Sequence, residues 1–393
     1  MSQQYDFSEI APFDDDVFSA KMAALVHEPG FEHAVRYVMP QVDYESFVET
    51  LLSIPNKDQF QTRIMWPFLE LLCEKTTSGI TCSGLDNIKP EKAYTFITNH
   101  RDIVLDASFL NLCFLRKGIP TSEVGIGDNL LIYEWITDLV KLNRSFIVKR
   151  NLRLTKALEA ARELSAYIHY AISDKKRSVW IAQREGRAKD SNDMTQEAVI
   201  KMLALGGGGT FAENIESLNI MPVSISYEYD PNDYLKAREF LLKRLDPNFK
   251  KSQRDDLFSM ETGLLQPKGR IHFEIGGCIN STLKDDLAGA DKHEAVKKVC
   301  HLIDCAIHGG YYLFPINYIA TDMLHGTHHY SAEYTAEEAE AFGRYIESQL
   351  DKVEIEGTEV SVLDRNFMKE MMLTMYSNPL KNKIHASERC ESL

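Results

Sequence analysis

Short apolar runs alternate with longer stretches in which apolar residues recur every three or four positions, and this alternation occupies the middle of the chain. The runs predict strands at 94–98, 124–127, 145–149, 179–183 and 220–227, with a further one between 270 and 280. The helical spacing between them falls at 106–116, 129–142, 154–174 and 194–205. Strand–helix alternation of this kind predicts an α/β fold with a mostly parallel central sheet flanked by helices.

The two ends read differently. Up to about residue 90 the pattern is helical, cut into pieces at Pro29-Gly30, Pro40 and Pro55. Most of that part is expected only to cover one face of the sheet. Residues 229–268 are polar and charged, an excursion that is partly helical at 233–244. From 281 onward helical spacing returns at 293–309, 335–351 and 361–376. The expected organisation is a helical N-terminal region, 1–90, an α/β domain, 91–280, and a helical C-terminal region, 281–393.

Composition narrows the classes. A net charge of −14 argues against general nucleic-acid binding and against a purely electrostatic hold on anionic lipid. Seven scattered cysteines without a CxxC pair predict free thiols in a reducing compartment. Residues 1–16 lack the pattern of a signal peptide, and no apolar run is long enough to span a bilayer. The expected location is cytoplasmic, with peripheral contact at the inner membrane face.

Several familiar sites are missing: there is no GxSxG elbow and no GxxxxGK[ST] phosphate loop. Gly125-Ile126-Gly127 is half of a dinucleotide fingerprint, with Leu130 where a third glycine belongs. His325-Gly-Thr-His328-His329 reads as a solvated loop rather than a metal site, and no metal is expected. What stands out is Tyr94–Asp106, an apolar run that ends in Asn99-His100 and continues as a helical pattern carrying Asp106. It puts an imidazole at the carboxyl edge of the sheet, where open α/β folds bind ligands. Imidazole is well suited to take a proton from a hydroxyl, and a carboxylate behind it, Asp106 or Asp102, would orient it. Asn99 and Asp102 are equally good helix-capping residues.

Three more segments follow in order. Arg144–Arg150 is a β-run ending in Lys149 and Arg150, Trp180–Arg187 leads into a Glu185-Gly186-Arg187 corner, and Asn219–Ile225 is a strand led by Pro222. Together the four resemble the motif blocks of the glycerolipid acyltransferase superfamily, over roughly residues 90–230. The Phe-Ile-x-x-Arg ending of the second block and the Pro-Val-x-Ile-x-Tyr-Glu of the fourth look closer to the glycerol-3-phosphate branch. The chain departs from the pattern in three places. Leu105 stands where the family has its aspartate, Arg187 follows Gly186 directly, and Arg144 replaces the glycine that opens the second block.

The resemblance implies transfer of a fatty acyl group from acyl-CoA or acyl carrier protein to a hydroxyl of a glycerol-phosphate-type lipid precursor, with no other cofactor. His100 and Asp106 would be catalytic. Arg150 and Arg187, with Lys149 and Arg184 as weaker candidates, would hold the phosphate, and Glu185 and Gly186 would shape the corner. Lys141, Arg144, Arg153 and Lys156 join Lys149 and Arg150 as a second basic cluster for lipid or donor phosphates. Two rival readings are an acceptor without phosphate, and a degenerate member that binds lipid or acyl carrier without turning it over.

Overall fold

A computed structural model describes residues 5–150, 152–355 and 360–390. Seven strands form one sheet: β1 (Ile80–Ser83), β2 (Thr95–Thr98), β3 (Glu123–Gly127), β4 (Ser145–Val148), β5 (Val179–Ala182), β6 (Ile220–Tyr227) and β7 (Ile271–Ile275). Their spatial order is β1-β7-β6-β2-β5-β3-β4. All neighbours are parallel except β6 and β7. The expected α/β architecture is therefore present, and the strands predicted from apolar runs lie within a residue or two of their expected places.

Residues on successive positions of the central strands face opposite sides. Ile97 and Ile181 pack under the helices Leu154–Ser173, Glu197–Leu203 and Lys292–Gly309. Phe96, Trp180 and Met221 pack under Leu105–Arg116 and Trp66–Thr76. With both faces covered, the central strands are buried throughout, which is why they read as continuous apolar runs.

Two expectations change. Strand β1 lies inside the stretch expected to be wholly helical, where it pairs in parallel with β7 at the sheet edge. The 229–268 excursion holds two helices, Asp233–Leu245 and Gln253–Leu265; the second is capped by Ser252, whose hydroxyl accepts from the Asp255 amide while Asp255 accepts from the Ser252 amide.

The C-terminal helices form their own core. Met368, Met372, Met375 and Tyr376 of the helix Val362–Cys390 are buried there against Phe342 and Ile346. The apolar stripe of that helix is thus packed inside the protein. No helix among the described residues is long and apolar enough to cross a membrane. Cys73, Cys82, Cys113, Cys278 and Cys300 are free thiols; Cys390 lies outside the residues with a described side chain.

Candidate active site

Because β2, β5, β3 and β4 run in the same direction, the segments that follow them emerge on one edge. His100 follows β2, Arg150 follows β4, and Glu185-Gly186-Arg187 follows β5, the immediate neighbour of β2. Sequence segments as far apart as residues 100 and 187 thus meet at the carboxyl ends of the strands.

The corner after β2 is built by two carboxylates with separate tasks. Asp102 is buried, and its Oδ1 accepts the amides of Val104 (2.9 Å) and Leu105 (2.8 Å), satisfying free N–H groups at the start of the helix. Burial, and then the nearby Asp106 charge, pushes its carboxyl above the usual range. Asp106, in the first turn of Leu105–Arg116, points back to the strand end. Its Oδ2 lies 2.8 Å from His100 Nδ1 and accepts the amides of Arg101 (2.6 Å) and Asp102 (3.1 Å). Since an ionised carboxylate only accepts, Nδ1 carries the proton and Nε2 is left as the basic nitrogen. The edge of Trp180 packs against the imidazole, with ring centroids 5.7 Å apart.

Further residues hold this corner. Arg101 is buried, 2.8 Å from Asp193 and over the ring of Tyr311. Lys236, paired with Asp230, donates to the Arg101 carbonyl (3.1 Å). Asn99 bridges to the backbone of Ile225 on β6 through both ends of its amide (2.9 and 2.8 Å).

His100 lines a cavity of about 1810 Å³. Part of its apolar wall comes from the N-terminal helices, through residues such as Phe31, Val35, Phe47, Leu51 and Ile64, and the rest from later elements, through residues such as Trp135, Ile136, Leu139, Val199 and Met260. Besides the helix Trp66–Thr76, which packs on a face of the sheet as expected, the N-terminal helices line the site. A π-helical turn, Gln61–Met65, ahead of Pro67 contributes to the same wall.

The predicted Arg150, Arg187, Glu185, Gly186 and Lys149 also line the cavity. Arg187 is only 8% exposed and its Nη1 has no hydrogen-bond partner. A buried guanidinium in that state is poised for an anion. Arg150 crosses over Gly127, where a β-carbon would come within 2.7 Å of its Nε, and its amide is held by Asp128 (3.1 Å). Gly186 has φ +68, a conformation that favours glycine, which explains the residue at that corner. Glu185 is exposed at the rim.

Three other cations of the basic cluster are already engaged. Lys149 pairs with Glu9 (2.6 Å) and Glu163 (3.3 Å). Lys141 is buried, donating to the carbonyl of Ser8 (2.8 Å). Arg144 is buried on Asp58 and Thr121 with φ +59, a left-handed conformation that glycine favours. Arg153 and Lys156 are exposed. In the His325–His329 loop, Asp322 organises the backbone, accepting the amides of His329 (2.8 Å) and Tyr330 (2.9 Å). Among the described residues no group of three or more His, Cys, Asp or Glu side chains is placed to hold a metal.

No family model matches the chain, and no curated protein matches it. Among solved structures, it is similar to the 1-acyl-sn-glycerophosphate (LPA) acyltransferase PlsC from Thermotoga maritima. The two share 13% identity with a TM-score of 0.37, over 74% of this chain and 92% of that one. That is a loose likeness, and the function proposed for this chain rests on its own site.

Proposed function

We propose that the protein is an O-acyltransferase that moves a fatty acyl group from a thioester to a hydroxyl of a glycerol-phosphate-type lipid precursor. The observation that supports this best is the His100–Asp106 pair in the wall of a large, mainly apolar cavity that is also lined by Arg187, whose Nη1 has no hydrogen-bond partner. His100 Nε2 takes the proton of the acceptor hydroxyl as its oxygen bonds to the thioester carbonyl carbon. Asp106 stabilises the imidazolium that forms. When the carbon–sulfur bond breaks, the departing thiolate takes that proton back from His100, so no covalent acyl-enzyme is required. Arg187 and Arg150 hold the acceptor's phosphate, and the apolar wall holds the acyl chain.

The test is acyl transfer by purified protein from acyl-CoA and from acyl carrier protein to a panel of hydroxyl acceptors, with and without phosphate. Transfer that disappears in His100→Ala supports the reading. Transfer that survives it removes the catalytic assignment, and absence of transfer with every pair favours a binding protein.

A further inference from the structure

A second pocket, of about 340 Å³, lies between the helices Asp233–Leu245 and Gln253–Leu265. Seven basic side chains and three carboxylates line it, an excess of four cations in a chain whose net charge is −14. Arg187, Lys189 and Lys251 line both this pocket and the main cavity, so the two compartments share a wall. Four of the seven cations are already countered: Lys189 sits 3.0 Å from Glu239, Lys251 2.6 Å from Asp256 and Arg238 3.8 Å from Asp255, and Lys236 is paired with Asp230. Arg254 is exposed at the rim with no ion pair among the described residues. Lys352 meets an amide oxygen, Gln266 Oε1 at 3.3 Å, rather than a carboxylate.

Those groups suit a small polyanion. The volume falls in the range of small-molecule sites and is too confined for a folded carrier protein. We propose that this pocket holds the phosphates of a nucleotide-type thioester carrier, of the coenzyme A kind, while the acyl arm passes Arg187 and Lys189 into the main cavity. The inference rests on the acyl-transfer reading and adds where, and on what carrier, the donor is held. On this assignment the donor has its own cations, Arg254 and Lys352, separate from Arg150 on the acceptor side.

The experiment compares the full-length wild type with the R254E/K352E double variant, whose altered side chains are exposed. Free coenzyme A and its 3′-dephospho form are titrated calorimetrically, and steady-state kinetics are measured with acyl-CoA. Wild type should bind coenzyme A more tightly than the dephospho form. The variant should lose roughly tenfold or more in coenzyme A affinity and gain as much in donor KM, with kcat and acceptor KM unchanged. Equal coenzyme A binding by both proteins, or a rise in acceptor KM instead, would overturn the assignment. If the variant fails to fold, wild type alone decides: no preference for the 3′-phosphate counts against the pocket. Coenzyme A binding that the variant loses, without any acyl transfer by wild type, would reject the enzymatic reading and leave the anion site standing.

Discussion

Asp106 Oδ2 stands 2.8 Å from His100 Nδ1, although Asp102 is closer in sequence to the histidine. The bend at 101–104 is a turn rather than helix, and the helix begins only at Leu105, so the intervening residues do not rotate Asp106 away as a continuous helix would. Exchanging the two carboxylates for amides should separate their tasks. Asp106→Asn should lower kcat by roughly 10²–10⁴, because the amide no longer stabilises the charged imidazole. Asp102→Asn keeps an acceptor oxygen for the Val104 and Leu105 amides and should leave kcat within a few-fold. Single-turnover rates of the two variants check this, and equal losses would refute the division.

Arg187 and Arg150 differ in burial, and their alanine variants should differ accordingly. Arg187→Ala should raise the acceptor KM by roughly tenfold to a hundredfold, the scale of losing a charge-assisted contact of about 1.5–3 kcal/mol. Arg150→Ala, at a half-buried position, should raise it less. Inorganic phosphate should compete with the acceptor in wild type and lose that effect in Arg187→Ala. An unchanged acceptor KM in both variants would mean that the acceptor carries no phosphate, or places it elsewhere.

The apolar wall makes a claim about chain length. Ala34, on the helix Pro29–Val38, lines the cavity. Enlarging it to phenylalanine should shorten the preferred acyl donor. Each methylene kept out of the cavity costs about 0.8 kcal/mol, roughly fourfold in kcat/KM. The profile of kcat/KM against donor chain length should fall more steeply for long chains in Ala34→Phe. Parallel profiles would place the acyl chain somewhere else.

Stability against pH should report on Asp233, which accepts from the hydroxyls of Tyr345 (2.6 Å) and Tyr376 (2.7 Å). Burial pushes its carboxyl from 3.8 up to about 6. The folded state therefore keeps a proton that the unfolded chain releases first. The stabilisation from this group is complete below about pH 4 and is lost as pH rises through about 6. Asp233→Asn keeps an oxygen for the tyrosines, so the Tm advantage of wild type over the variant should shrink across that window. A constant difference would show that the folded and unfolded carboxyls titrate alike.

The sheet was largely legible because its central strands are buried on both faces and written in Phe, Ile, Val, Trp and Met. Strand β1 was not: Ile-Thr-Cys-Ser at a half-exposed edge has neither an apolar run nor a clean alternation. The helix Gln253–Leu265 was hidden by its charge, although Ser252 and Asp255 form a capping box that spacing alone could have flagged. At the site, His100, Arg150 and Arg187 could be picked out by their order along the chain. The engagement of Lys149 by Glu9 and Glu163 could not, since those partners come from 140 and 14 residues away. Nor could the enclosing role of the N-terminal helices, because a cavity wall and a core face carry the same apolar periodicity.

Gly263 sits where the helix Gln253–Leu265 crosses Asp102, and a β-carbon there would overlap the Asp102 carboxylate. The gap between that helix and the turn behind the histidine is thus thinner than a methyl group. Adding one methyl, as in Gly263→Ala, would act as a wedge. It would tilt the turn from behind, detune the imidazole without touching a substrate atom, and convert a helix at the rim into a lever on the proton transfer.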